Sequence, residues 1–301
     1  AQNLIDRNPG LRTAFAHASD GTPVQVVVSG VAVPWTEIDL SDVDRSDVRR
    51  DRVQQIIDRE RRNGFEIGVP PLLRFILVAF GQGDYQLLLV NHHIVLDGWS
   101  MPLLLQELLA LYALRAQADA LPPARSYRAY LDWLSRQDTQ ESMQAWKRAF
   151  HEISEPSLLS PSSGRDAVAS TPMVVEHALS PDVSRALDEN AVSLGVTMNT
   201  VVQAAWGIVL SRMTGQSSVV FGATVSGRPP QLPGVESTIG MFINTLPVGM
   251  SITDAMSIAD LLDGHQSRQV EMLDHHYVGL ADIQREVGPA ASFDTLVVFE
   301  S

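Results

Sequence analysis

The sequence predicts an α/β chain arranged as two successive lobes. Three observations carry this: strand and helix signals alternate along the first half, a Ser-, Pro- and Gly-rich stretch from Glu152 to Pro172 breaks the periodicity, and the alternation resumes beyond it. We expect a first lobe over residues 1–152, an interlobe linker over 153–172 and a second lobe over 173–301. At 301 residues, 45% hydrophobic and 19% charged, the chain is long enough for two cores.

In chain order, Ala1 to Asp6 read as the tail of a helix running into Arg7, Val24 to Val31 as a strand, Ser46 to Asn63 as a helix and Leu72 to Phe80 as a strand. Asp84 to Val90 follows the turn Gly81-Gln82-Gly83. It is too short for a buried helix and suits a strand covered on both faces. If that strand continues through His93, side-chain alternation sends His92 and His93 to opposite faces. Ser100 is placed to cap a helix, Pro102 falls in its tolerant first turn, and Leu104, Leu105, Leu108 and Tyr112 repeat with helical period. A helix through Trp133, Trp146 and Phe150 closes the first half.

The second half resumes at Val174-Val175, with a helix opening at Ser180-Pro181 and an apolar helix from Asn199 through Trp206 to Met213. A strand from Ser218 to Val225, a Pro-Gly loop to Glu236 and a strand around Phe242 to Met250 follow.

Composition removes several function classes. A net charge of −13 argues against a nucleic-acid surface, which needs a basic face. The absence of Cys excludes disulfides, thiolate metal sites and a Cys nucleophile, and fits a cytoplasmic protein. No segment has the continuous apolar length of a membrane-spanning helix. Gly227 and Gly234 flank a Pro-rich loop without a phosphate-binding pattern, so no nucleotide site is indicated.

Chemistry concentrates in Asn91-His92-His93-Ile94-Val95-Leu96-Asp97-Gly98-Trp99-Ser100. Asp97 can orient an imidazole, or can be a buried carboxylate that needs a cationic partner. Gly98 permits a close approach that a side chain would obstruct. A metal site would need a third ligand and His residues at helical spacing, and an adjacent pair offers neither. A pair of hydrogen-bonded core histidines remains the bland alternative. Asp274-His275-His276 lies at the end of an amphipathic helix, and favourable His placement near the C-terminal dipole is preferred there over a metal site.

His92-His93-x-x-x-Asp97-Gly98 resembles the signature of the condensation domains of non-ribosomal peptide synthetases, within the chloramphenicol-acetyltransferase-like acyltransferases. Other segments carry the resemblance in the family's order. Arg7-Asn8-Pro9-Gly10-Leu11-Arg12-Thr13-Ala14-Phe15 is similar to its Arg-His-x-x-Leu-Arg-Thr-x-Phe element, with Asn8 in place of His. Ser126 to Trp133 resembles its Tyr-x-Asp-(Phe/Tyr)-x-x-Trp element, with departures at Ala129 and Asp132. Ile239-Gly240-Met241-Phe242-Ile243-Asn244-Thr245 matches its Ile-Gly-x-Phe-x-Asn-Thr element. Asp274 to Tyr277 and Phe293 to Glu300 resemble its last two segments here.

The resemblance implies two chloramphenicol-acetyltransferase-like lobes in a V-shaped pseudo-dimer with a central tunnel, both ends of the family domain being cut short in this chain. It implies peptide-bond formation between a donor aminoacyl or peptidyl thioester and the amine of an acceptor aminoacyl thioester. Both are carried on 4′-phosphopantetheine arms of upstream and downstream peptidyl carrier proteins, beside domains such as adenylation domains. No cofactor or metal bound by the domain itself is expected, and neither a nucleic acid nor a membrane is an expected partner.

Under that resemblance His93 is the catalytic residue, as proton acceptor or as a group that positions the amine. His92, Asp97, Gly98 and Arg228 organise the site, with Arg228 the expected ion-pair partner of Asp97. Asn244, Thr245 and Trp99 are expected along the substrate tunnel, and Arg7 and Arg12 are expected to stabilise the first lobe. The first amides of the helix at Ser100 are candidates to assist a developing oxyanion. The alternatives are an ester-forming acyltransferase or epimerisation domain with the same motif, and a non-catalytic recruitment module of the same fold.

Overall fold

The computed structural model describes residues 1–43, 45–160 and 173–300. Its contacts divide the chain into two units, Ala1–Arg136 with Arg228–Phe242, and Gln137–Gly227 with Ile243–Ser301.

The first unit contains α1 (Gln2–Arg7), the antiparallel hairpin β1 (Thr13–His17) and β2 (Pro23–Val27), and a sheet of β3 (Trp35–Asp39), β4 (Leu73–Gly81) and β5 (Asp84–Asn91). β3 runs parallel to β4, and α2 (Ser46–Asn63) makes the crossover between them. The helix forms where expected because Val53 and Ile56 fall on one face and pack on Ile76 and Val78 of β4.

β4, rather than β5, is the covered strand. It lies between β3 and β5, whereas β5 has β4 as its one neighbour among the described residues and leaves Tyr85 and Leu87 exposed. After β5 come α3 (Ser100–Ala113) and α4 (Arg128–Leu134). Leu104, Leu108 and Leu111 of α3 join Leu4, Ile5, Leu11, Phe75, Val95 and Leu96 in the main core of this unit. Ile239, from far along the chain, completes that core. Val95 and Leu96 are 4% and 1% exposed, so two buried aliphatic side chains anchor the loop between the His pair and Asp97.

The second unit contains α5 (Thr139–Ala149), α6 (Pro181–Leu194), α7 (Met198–Thr214), β6 (Ser218–Val225), β7 (Asn244–Ser251), α8 (Ile258–Met272), α9 (Leu280–Val287) and β8 (Leu296–Val297). β6 is central, antiparallel to β7 and parallel to β8, with Val219, Val220, Phe221 and Ala223 all buried. Hydroxyl caps start α6, α7 and α8: Ser180, Thr197 and Ser257 each accept an amide three residues on. Gly195 and Gly215, both in the left-handed region, end α6 and α7.

Three expectations change. The helix through Trp133 and Phe150 is two helices, because Asp138 breaks it and caps α5 by accepting the Gln140 and Glu141 amides. The first-lobe boundary at 152 gives way to one at Arg136, and residues 228–242 return to the first unit. The linker expected over 153–172 is structured through its described part. Ile153 is core, the Ser157 hydroxyl donates to Gln216 and accepts from the Val220 amide, and the Leu159 and Ser160 amides donate to Asp294. Residues 161–172 of that span lie outside the described residues. Val174 and Val175 are exposed and belong to no strand.

Candidate functional site

β5 stops at Asn91 and the His92 amide donates to the Leu72 carbonyl at 2.8 Å, after which His93–Val95 form a single 3-10 turn. The two histidines are therefore separated by a turn and not by strand alternation. His92 is half-buried: its Nδ1 accepts from the Ile94 amide at 3.1 Å, and its ring meets Phe65 edge-on at 6.3 Å. Accepting at Nδ1 leaves the proton of a neutral ring on Nε2. His93 is exposed, and its ring makes no hydrogen bond among the described residues.

Asp97 is 2% exposed and has both carboxylate oxygens engaged. Oδ1 accepts from the Ser100 amide at 2.7 Å, Oδ2 accepts from the Phe242 amide at 2.9 Å, and Arg228 Nη2 lies 3.3 and 3.5 Å from the two oxygens. Ser100 is the first residue of α3 and does not cap it through its own side chain, because Trp99 is already helical and the Asp97 carboxylate takes the Ser100 amide. That commitment removes the first amide of α3 from any role at an oxyanion.

Arg228 reaches this carboxylate from the segment 228–242. Its Nη1 donates to the Val235 and Thr238 carbonyls, its Nη2 donates to Ser100 Oγ at 2.8 Å, and its guanidinium lies 3.9 Å from the Phe242 ring centre. Nε is buried without a partner among the described residues. Burial pulls the Arg228 pKa below its ordinary value, and the Asp97 charge works against that pull. The side chains are 6% and 1% exposed, so two charges are kept from water.

The same segment is tied to the motif at further points. The Asp97 amide donates to the Gly240 carbonyl at 3.3 Å, and the Trp99 indole donates to the Glu236 carbonyl at 2.9 Å. The Tyr127 hydroxyl donates to the Met241 carbonyl at 2.5 Å. Gly98 has nothing within 4 Å of where a Cβ would sit, and Trp99 is 58% exposed, so the loop after Asp97 presents an open face.

Gly240 is the opposite case. A Cβ there would lie 2.3 Å from Tyr127 Cδ2. Gly240→Ala is expected to cost about 1–3 kcal/mol of stability through overpacking, read as a lower urea midpoint at constant slope.

The remaining expected residues have other placements. Arg7 donates to Glu107, Ala118 and Pro122, and Arg12 to the Ile5, Asp6 and Val28 carbonyls. Asn8, where the resemblance has His, is 5% exposed and donates to the Leu4 carbonyl and Glu107. Asn244 belongs to the second unit and spends its amide on the His276 and Val278 carbonyls, at 2.8 and 2.7 Å, with its oxygen accepting from the Thr245 amide. The Asn244 side chain thus ties the start of β7 to the backbone at 276–278. Thr245 sits on β7 opposite Thr224.

No group of three or more His, Asp or Glu side chains able to hold a metal occurs among the described residues. His275 Nδ1 lies 2.9 Å from the Ser142 hydroxyl.

Sequence reasoning did not single out Ser100 as a bridging hydroxyl, Tyr127, or the buried His265. The His265 Nε2 lies 2.9 Å from both the Gln203 oxygen and the Gln269 nitrogen, while Nδ1 has no partner among the described residues.

Burial, reinforced by the Arg268 charge, brings the His265 pKa down to about 4. Burial and His275 bring His276 down to about 4, against the opposing pull of Asp274. A folded-state pKa below the ordinary value of about 6.5 means the unfolded chain binds the extra proton first. Stability from these two groups is thus complete above about pH 6.5 and declines toward pH 4, by about 3 kcal/mol at most for His265. Urea midpoints between pH 7 and 4 check this, and His265→Gln should flatten the decline.

Comparison with known proteins adds three findings. A model of the condensation-domain family, described as "Condensation domain", matches residues 1–301. The chain is 35% identical to a linear gramicidin synthase polypeptide of Brevibacillus parabrevis and 34% identical to chondramide synthase cmdD of Chondromyces crocatus, over 100% of its own length in each case. It spans only 4% and 8% of those two proteins. Among solved structures it is similar to the first condensation domain of the calcium-dependent antibiotic synthetase in complex with a substrate analogue, with a TM-score of 0.74 and 25% identity over 99% of this chain and 70% of the other.

Proposed function

The chain belongs to the condensation-domain family, and from that premise we propose that it forms amide bonds between carrier-bound substrates. The acceptor amine attacks the carbonyl carbon of the donor thioester, a C–N bond forms, the C–S bond breaks, and the phosphopantetheine sulfur leaves with a proton while the nitrogen gives one up. Donor and acceptor arrive on separate peptidyl carrier proteins, next to adenylation domains that load them. The 4′-phosphopantetheine arms belong to those carriers, and the domain itself supplies side chains alone.

One observation carries this reading. In the motif, His92, Asp97 and Ser100 are bound up with backbone or Arg228, whereas the His93 ring is exposed and makes no hydrogen bond among the described residues. A hydrogen-bonded frame with one exposed imidazole suits amine attack, in which a side chain near the nitrogen can accept its proton or hold it in place. A neutral imidazole can take the proton that the attacking nitrogen loses. Trp99 is exposed and Gly98 has open space where a Cβ would sit, and both suit the approach of a substrate arm to the motif.

Retention of His93 disfavours a non-catalytic recruitment module. The reaction is placed in the cytoplasm, a reading compatible with zero cysteines and with no single described helix being long and apolar enough to cross a membrane.

The test supplies the full-length protein with donor and acceptor carriers loaded separately, and follows the amide by mass spectrometry. Transfer of the donor acyl group to the acceptor amine is expected. Transfer to a hydroxyl acceptor alone would assign the ester-forming alternative, and inversion of a carrier-bound aminoacyl centre without transfer would assign epimerisation.

A further inference from the structure

The ion pair between Asp97 and Arg228 is not the tightest link in the site. Arg228 Nη2 stands 3.3 and 3.5 Å from the Asp97 oxygens but 2.8 Å from Ser100 Oγ. The same hydroxyl donates to the Gly240 carbonyl at 2.8 Å and accepts from the Gly240 amide at 3.0 Å. A hydroxyl has one donor and two acceptor lone pairs, so Ser100 is saturated, and it is 0% exposed.

Both backbone polar groups of one glycine are thus held by a single side chain. Tyr127 packs so closely on that glycine that no Cβ fits, which lets the segment lie against the motif. Two residues on, the Phe242 amide meets Asp97, and four residues back, the Glu236 carbonyl holds the Trp99 indole.

We propose that Ser100 is a positioning residue for the reaction. By clamping Gly240 and bridging it to Arg228, Ser100 registers the segment 228–242 on the motif and so fixes the loop that presents His93 and Trp99. The inference rests on the amide-forming reading above and extends it to a residue that touches no reacting atom.

The coupling is short in covalent terms. Asp97 donates its amide to Gly240 and sits one residue beyond Leu96, whose amide donates to the His93 carbonyl at 3.3 Å. A shift of the segment therefore passes through Asp97 into the turn bearing His93. Displacing a catalytic group by about 1 Å can cost about 10²-fold in rate.

The experiment measures steady-state amide formation by the full-length protein, its Ser100→Ala variant and its Ser100→Thr variant, at a temperature well below each melting point. Hydrogen exchange of residues 239–242 is followed in parallel. For Ser100→Ala, kcat is expected to fall about 10²-fold with KM for either carrier unchanged and with faster exchange at the Gly240 amide. Ser100→Thr, which keeps the hydroxyl, is expected to recover kcat and protection together.

Unchanged kcat in a folded Ser100→Ala protein would overturn the proposal while leaving the amide-forming reading intact. So would a loss of activity that tracks only the fraction unfolded. Should the parent itself make no amide, the functional reading fails and takes the catalytic part of the proposal with it. Exchange then decides the clamp alone, and equal exchange in parent and Ser100→Ala would remove it.

Discussion

His93→Ala is expected to slow amide formation by about 10²–10⁴-fold, the usual range for loss of a positioned proton acceptor, with a stability change of no more than about 0.5 kcal/mol. The two expectations come from the same fact. The His93 ring is exposed and makes no hydrogen bond among the described residues, so removing it orphans nothing and opens no cavity. His92 differs on both counts, since its Nδ1 holds the Ile94 amide and its ring meets Phe65.

A single-turnover measurement with preloaded carriers isolates the chemical step, and urea melting supplies the stability arm. Asn at position 93 separates the two roles of the imidazole. It can hold an amine through a hydrogen bond but cannot accept a proton at working pH. An Asn variant as slow as the Ala variant assigns proton transfer, one that regains most of the rate assigns positioning, and an Ala variant as fast as the parent takes His93 out of the mechanism.

Periodic elements were legible in the sequence because their cause is local. α2 lies over Ser46–Asn63 and β6 over Ser218–Val225, as their apolar spacing and bounding turn residues require. α6 starts after Ser180 with Pro181 in its first turn, which is a signal written in two adjacent residues.

The differences arose where a distant segment decides the outcome. β5 carries an apolar run as strong as a covered strand's, yet its place at one side of β4 exposes half of it, and run length holds no information about neighbours. The Pro-Gly loop to Glu236 and the approach to the strand around Phe242 read as parts of the second lobe, yet residues 228–242 belong to the first unit, because Ile239 enters its core and Arg228 reaches Asp97 across 131 positions of sequence.

The candidate site divides the same way. The His93, Asp97 and Gly98 motif and the Asp97–Arg228 pairing were readable through the family resemblance, whereas Ser100 looked like an ordinary helix cap and Asn244 like a tunnel residue. Only the fold shows that a hydroxyl at a helix start faces Gly240 and that the Asn244 amide is spent on two carbonyls.

Asp97→Ala is expected to destabilise the protein by about 3–5 kcal/mol, the range for removing one partner of a buried charge pair, and Arg228→Met by clearly less. The asymmetry follows from what each deletion leaves behind. Without Asp97, the Ser100 and Phe242 amides lose their acceptor and the Arg228 guanidinium, whose side chain is 6% exposed, stays buried without its ion-pair partner. Without Arg228, Asp97 keeps both backbone amides, which are hydrogen bonds of the charge-assisted kind. Met also fills much of the space against Phe242 and removes the buried Nε that has no partner among the described residues.

Urea midpoints of the two single variants and the double variant give the coupling directly. Because Asp97 and Arg228 share Ser100 as a partner, the double variant should be more stable than the sum of the single losses predicts, by about 0.5–3 kcal/mol. Additive losses would mean that the carboxylate acts only through the Ser100 and Phe242 amides and that the guanidinium 3.3 Å away contributes nothing through it.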